Sequence, residues 1–289
     1  MPELPEVETI VRGLQTRIAG DTIESVWIGS RPQVLKTPAA AIVSTLEGKR
    51  VVRVHRAGKH IVVDLDQPSH GQPRKRSSSK KKKNGTGATL QTAQWIIHLG
   101  MTGRTIVCEP AEEIVKHTHL IAKLGSGREL RFVDPRMFGK LSVHAAGFDP
   151  GGIEPLEATE EQFIQLFRRR KTPIKSALLN QKLLRGVGNI YADESLFRAG
   201  IRPRRRAASL TRDQLRRLYR AVQEVLAEAI ALGGSSVSDY VDADGEEGFF
   251  QLEHRVYGRE SDPCRVCKSP IRRVVLVGRS SHYCPKCQK

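Results

Sequence analysis

Apolar positions recur with helical spacing at the start of the chain. Val7, Ile10, Val11, Leu14 and Ile18 stand three or four residues apart, and Gly20 ends the run. This predicts an amphipathic helix over residues 3 to 19. From about 21 to 145 the pattern shortens to strand-like apolar runs at 51–54, 61–65, 95–99, 120–124, 130–133 and 140–143, with Gly125-Ser126-Gly127 as a hairpin turn. Several short strands with regular turns predict a β-sandwich. Residues 67–91 interrupt it with a Pro-, Gly-, Ser- and Lys-rich stretch, read as a disordered surface insertion. Gly and Pro cluster between 145 and 155 and mark a linker. Helical signals follow. Thr159-Glu160-Glu161-Gln162 fits a capping box ahead of Phe163, Ile164 and Phe167. Pro173 suits a first helical turn. Leu215, Leu218, Val222, Val225 and Leu226 outline a long helix that stops at Gly233-Gly234.

Five cysteines add a third region. Cys264-x-x-Cys267 and Cys284-x-x-Cys287 are separated by sixteen residues, the spacing of two zinc knuckles. Two thiolate pairs give zinc its four tetrahedral ligands and leave no open position, so one structural Zn2+ is expected. Cys108 lies in an apolar run and reads as a small buried hydrophobe. The expected fold class is α+β. It comprises a sandwich domain with its N-terminal helix over 1–150, a helical domain over 156–254 and a zinc finger over 255–289.

Charge points to the partner. The formal net charge is +17, and removing the basic tract at 74–83 still leaves +10. Between 168 and 220 sixteen Lys or Arg residues face only Asp193, Glu194 and Asp213. So concentrated an excess favours a polyanion such as nucleic acid over a merely solvated face. No run of about 18 apolar residues suggests a membrane span. The acidic start, Met1-Pro2-Glu3-Leu4-Pro5-Glu6, lacks the apolar region of a signal peptide. A cytoplasmic, nucleoid-associated monomer is expected.

The same start carries candidate chemistry. A small second residue permits removal of Met1, which leaves Pro2 with a secondary amine. Such an amine can attack a sugar C1′ and form an iminium ion, an electron sink that acidifies the C2′ proton. Glu3 and Glu6 stand beside it and could move protons. Two acids after a proline equally suit the beginning of any helix.

Five ordered motifs narrow the choice. They are Pro2-Glu3-Leu4-Pro5-Glu6-Val7-Glu8-Thr9, His98-Leu99-Gly100-Met101-Thr102-Gly103, Asp134-Pro135-Arg136-Met137-Phe138-Gly139, Gly186-Val187-Gly188-Asn189-Ile190-Tyr191-Ala192 and Val256-Tyr257-Gly258-Arg259. In these the chain resembles the bacterial formamidopyrimidine-DNA glycosylases. The resemblance implies a helix–two-turns–helix arrangement in the helical domain and a bifunctional enzyme of base-excision repair. Such an enzyme removes oxidised purines, 8-oxoguanine and formamidopyrimidines, from double-stranded DNA and nicks the abasic site by β,δ-elimination. It also implies roles. Pro2 is the Schiff-base nucleophile, Glu3 protonates the opening sugar, Lys59 assists β-elimination, and Arg279 holds phosphates and helps δ-elimination. Met101, Arg136 and Phe138 fill the gap left by an everted base, a task that suits an apolar wedge and a planar guanidinium. His117, Arg170, Lys175 and Asn189 fall at DNA-contact positions, Asn189 in a turn whose backbone N–H groups can meet an anion. Residues 235–250 correspond to a loop over the everted base, with Ser238 where some relatives carry lysine. An endonuclease VIII-like enzyme for oxidised pyrimidines and a catalytically inactive DNA-binding paralogue are the alternatives.

Overall fold

The computed structural model describes residues 1–66, 93–236 and 248–289. The insertion expected at 67–91, and Ser238, lie outside the described residues. The chain divides into two compact units. One holds residues 11–55 and 61–148, the other residues 1–10, 56–60 and 149–289.

The first unit contains two four-stranded sheets. β1 (Ile23–Ile28), β6 (Thr118–Leu124), β7 (Glu129–Val133) and β5 (Arg104–Cys108) form one in that order. β2 (Arg50–Ala57), β3 (His60–Asp66), β4 (Ala93–His98) and β8 (Lys140–His144) form the other. The first sheet is antiparallel throughout, with Leu120 opposite Phe132, and β4 pairs antiparallel with β8, with Trp95 opposite Val143. Gly125 and Gly127 turn β6 into β7 as the sequence predicts, and Gly127 takes φ +88°. β3 is buried at every position from Ile61 to Asp66, so both of its faces are covered. Cys108 is buried and unpaired, in keeping with a packing role.

One element departs from the strand pattern. α2 (Ala39–Leu46) is a helix that packs against β1 and β8, an end strand of each sheet. Its sequence opens with three alanines, the best helix formers, directly after Pro38, and this local preference outweighs the β-rich surroundings.

The second unit is helical. α1 (Leu4–Ile18) begins in it and continues into the first. α3 (Glu160–Phe167) and α6 (Arg212–Ala231) open on full capping boxes: Thr159 Oγ1 accepts from Gln162 N at 3.2 Å and Thr211 Oγ1 from Gln214 N at 3.2 Å. α4 (Ile174–Leu178) follows Pro173, and α5 (Asn189–Arg198) follows Gly188. Phe163, Phe167, Tyr191, Leu196, Leu218, Val225 and Phe250 belong to one continuous core. β9 (Arg272–Leu276) and β10 (Arg279–Tyr283) make an antiparallel hairpin, and β10 packs on α5. Among the described residues no helix is long and apolar enough to cross a membrane.

Candidate active site

The N-terminal residues are anchored to the start of α5. Pro2 is buried, and Leu4 N donates to Gly186 O at 3.0 Å. Glu3 N donates to Glu6 Oε2 at 2.7 Å, which satisfies one of the free amides of the α1 entry. The Glu3 carboxylate reaches across 187 positions of sequence, where its Oε1 accepts from Ile190 N at 3.2 Å. α5 has Gly188 as its N-cap and no capping side chain of its own. Glu3 takes that place, where amides and helix dipole favour a negative charge. The approach is possible only because glycines line it. A Cβ on Gly188 would lie 2.2 Å from Glu3 Cδ, and one on Gly186 would lie 2.7 Å from Leu4 Cδ1.

Both acids are buried, Glu3 at 4% and Glu6 at 2% exposure. Burial raises the Glu3 pKa, while the Lys59 charge and the amides of Ile190 and Tyr191 pull it back. Burial and the neighbouring Glu3 push Glu6 up to about 7, against hydrogen bonds from the Tyr191 hydroxyl, Ser235 N and Glu3 N. Lys59 is buried too, which lowers its pKa, and Arg279 lowers it further while Glu3 and Glu6 oppose. The cluster therefore gathers two carboxyls that can hold a proton and a lysine that can release one, with Glu3 next in sequence to Pro2.

Glu6 makes stability depend on pH. In the folded protein it keeps a proton up to about 7, whereas its ordinary value is 4.5. Its effect on stability is most favourable below the lower value and is lost as pH rises through the higher one. From pH 5 to pH 8 the wild-type protein should lose about 2.5 kcal/mol relative to Glu6→Gln. Denaturant unfolding of both proteins at the two pH values measures this; parallel pH dependences would mean that Glu6 titrates normally.

Lys59 owes its place to a residue that sequence reasoning missed. Glu154, 5% exposed, accepts from Gly58 N at 2.7 Å, Arg56 Nη1 at 2.8 Å and Arg185 Nε at 2.9 Å. It thus grips the β2–β3 turn at Arg56 and at Gly58, whose φ is +59° and which neighbours Lys59. Tyr191 and Ser235, the partners of Glu6, were missed as well. Gly188 carries in sequence only the signal of its motif. Glu154 had one signal, an acid in the Gly/Pro linker beside a strongly basic segment.

Arg279 follows the two-residue turn Val277-Gly278, both with positive φ, and is exposed at the start of β10. Asn189 opens α5, with its Nδ2 donating to Ser280 Oγ at 3.3 Å. Arg170 is exposed, and its Nε donates to Leu166 O at 2.7 Å. Lys175 corrects an expectation. It is 1% exposed, its Nζ lies 2.7 Å from Asp193 Oδ1 and it donates to Ser280 O at 2.5 Å. A side chain so enclosed has its charge paired within the protein rather than presented at the surface, where a phosphate contact would need it.

The four finger cysteines fit the zinc expected of them. Their sulfurs all lie within 4.8 Å of one another, with Cys264 and Cys287 at 3.9 Å and Cys267 and Cys284 at 3.4 Å. Tetrahedral Zn–S bonds of about 2.3 Å require sulfurs about 3.8 Å apart. One zinc ion fits the four thiolates and has no position left for a substrate.

The remaining candidates belong to the first unit. Met101 and Phe138 are 42% and 51% exposed, unusual for large apolar side chains. The Arg136 guanidinium lies 4.8 Å from the centroid of the Phe138 ring. Buried Asp134 ties their two loops together, accepting from Thr102 Oγ1 at 2.6 Å and Gly139 N at 2.7 Å. Gly100 lets the backbones meet, since a Cβ there would come within 2.5 Å of Gly139 N. His117 is exposed at φ 70°, and its carbonyl accepts from Asp134 N at 3.0 Å. Met101, Arg136, Phe138 and His117 thus share one loop cluster.

Comparison with known proteins agrees along the whole chain. Residues 1–141 match the formamidopyrimidine-DNA glycosylase N-terminal domain, 152–241 the formamidopyrimidine-DNA glycosylase H2TH domain, and 261–289 the zinc finger found in FPG and IleRS. The formamidopyrimidine-DNA glycosylase of Solibacter usitatus is 43% identical over 299 residues, covering 100% of both chains. Two solved structures of Lactococcus lactis Fpg, each 30% identical and covering 100% of both chains, superpose closely. A variant bound to Fapy-dG-containing DNA gives a TM-score of 0.85. The wild type bound to DNA with an oxidised pyrimidine gives 0.83. With its three domain matches and full-length relatives, the chain belongs to the formamidopyrimidine-DNA glycosylase family, enzymes of DNA repair.

Proposed function

We propose that the chain excises oxidised purines from duplex DNA and then cuts the strand, with Pro2 as nucleophile once Met1 is gone. The observation that carries this reading is the buried Glu3 carboxylate, adjacent to Pro2 in sequence, capping α5 and within the field of Lys59. The Pro2 amine attacks C1′, the C1′–N bond breaks, and the base leaves with the electron pair and takes up a proton. Glu3 delivers a proton to the ring oxygen O4′ as the sugar opens, a role suited to a carboxyl whose pKa is raised by burial. Loss of the amine proton completes the iminium ion. Removal of the C2′ proton sends its electrons toward that sink and expels the 3′ phosphate. Lys59, with its lowered pKa, can accept that proton. Loss of the C4′ proton then expels the 5′ phosphate, with Arg279 balancing its charge. Arg170, Asn189 and His117 contact the DNA backbone, and Met101, Arg136 and Phe138 fill the gap left by the everted base.

The bound pyrimidine lesion in the Lactococcus lactis structure keeps oxidised pyrimidines as a second reading for this chain. A lesion panel with both product ends resolved tests the two. Duplexes with 8-oxoguanine or formamidopyrimidine should be cut at least about tenfold faster than thymine glycol, a gap of about 1.4 kcal/mol in barrier. Phosphate should remain at both ends. Faster cutting of thymine glycol would favour the second reading, and a β-product alone would remove the δ-step.

A further inference from the structure

We infer that Lys175 and Asp193 act together as a positioning pair for Arg279, standing in for a missing third strand along the outer edge of β10. The inference rests on the phosphate role proposed for Arg279. The two-residue turn Val277-Gly278 makes Arg279 and Leu276 the closing pair of the hairpin. In an antiparallel ladder hydrogen-bonded and non-hydrogen-bonded pairs alternate. With the closing pair bonded, the pairs Ser280–Val275 and His282–Arg273 are the non-bonded ones. The backbone groups of Ser280 and His282 therefore point away from β9, as they would on an open sheet edge. Such groups need partners when shielded from water, and His282 is buried and Ser280 half-buried.

The ion pair supplies these partners, one of each polarity. Lys175 Nζ donates to Ser280 O at 2.5 Å, and His282 N donates to Asp193 Oδ2 at 2.8 Å. The two charged groups meet at 2.7 Å, and both are at or below 1% exposure. Asn189 adds a bond to the Ser280 hydroxyl at 3.3 Å. β10 is thereby locked to α4 and α5 in one register, with Arg279 a single residue from the first locked carbonyl. α5 is the same helix that Glu3 caps, so the lock joins Arg279 to the element that holds the acid. A lysine there acts through Arg279 and touches no DNA.

The test is a double-mutant cycle on full-length zinc-loaded protein: wild type, Lys175→Met, Arg279→Ala and the double variant. An abasic-site duplex supplies affinity against salt concentration and the rates of β- and δ-elimination. Lys175→Met should reproduce most of the Arg279→Ala loss in affinity and δ-elimination. The double variant should be no worse than Arg279→Ala, and its salt slope should match that of Arg279→Ala. Lys175→Arg, which keeps the charge, should recover part of the loss. Multiplying losses in the double variant, or a salt slope lower by a further ~0.9, would mark Lys175 as an independent phosphate contact and overturn the inference. Wild-type behaviour of Lys175→Met would overturn it too, as would an equal loss of both elimination steps. If Lys175→Met fails to fold, the cycle is run on Lys175→Met combined with Asp193→Asn, which leaves no unpaired buried charge. An Arg279→Ala protein that binds and cuts like wild type would refute the role of Arg279 itself. Hydrogen exchange at the Ser280–Tyr283 amides then decides the lock separately, with faster exchange in the Lys175 variant expected and unchanged exchange counting against it.

Discussion

A protein carrying an uncleavable residue ahead of Pro2 should form no borohydride-trapped adduct with lesion or abasic DNA, and its strand cutting should fall to background. With Met1 or any extension in place the Pro2 nitrogen is an amide, whose lone pair is delocalised and cannot attack C1′. The fold should survive, because α1 begins at Leu4 and its anchor is the Leu4 amide on Gly186 O. DNA affinity should survive as well, since the basic residues that would meet phosphates are unchanged. Parallel measurements of trapping, cutting and binding on processed and extended protein separate these outcomes. A trapped adduct of normal yield on the extended protein would transfer the nucleophile to a lysine, and Lys59 would be the first to replace.

Gly188→Ala should reduce excision by about 100-fold, the usual consequence of misplacing a catalytic group by about 1 Å. The backbone at Gly188, φ −128° and ψ −159°, is extended and open to alanine, so no torsional strain enters. The effect is steric and specific. The new Cβ would sit 2.2 Å from Glu3 Cδ, and the carboxylate must leave both its position and its bond to Ile190 N. Loss of that cap should also cost about 1 kcal/mol of stability. Combining the change with Glu3→Asp shortens the acid and should restore part of the rate. Single-turnover excision with a thermal melt on all three variants measures this. A Gly188→Ala enzyme with wild-type rates would mean that the glycine does not set the place of Glu3.

Much of this was legible in the sequence for a physical reason. Helical spacing, turn glycines, capping boxes and paired cysteines act over a few residues. Their signals are therefore contiguous, and α1, α3, α6, the β6–β7 turn and the zinc finger stand where the pattern puts them. The motifs that mark the family are contiguous too. α2 escaped because the surrounding strand rhythm masked a short alanine run.

What the sequence alone determined is the α+β class, a basic polyanion-binding surface, a closed four-cysteine site and membership of a glycosylase family. It also supplied Pro2 and Glu3 as a chemically sensible pair. Only the tertiary structure decided the state of those groups. Glu3 caps a helix 187 positions away, burial and the Glu3 charge lift Glu6 to about 7 against the bonds from Tyr191 and Ser235, and Glu154 holds the turn of Lys59 from 96 positions away. Lys175 looks in sequence like every other lysine of a basic segment, yet it is sealed against Asp193 and the edge of β10. Charge and residue type are properties of the chain. Burial and partners, which set proton affinity and access to DNA, arise only when distant segments come together.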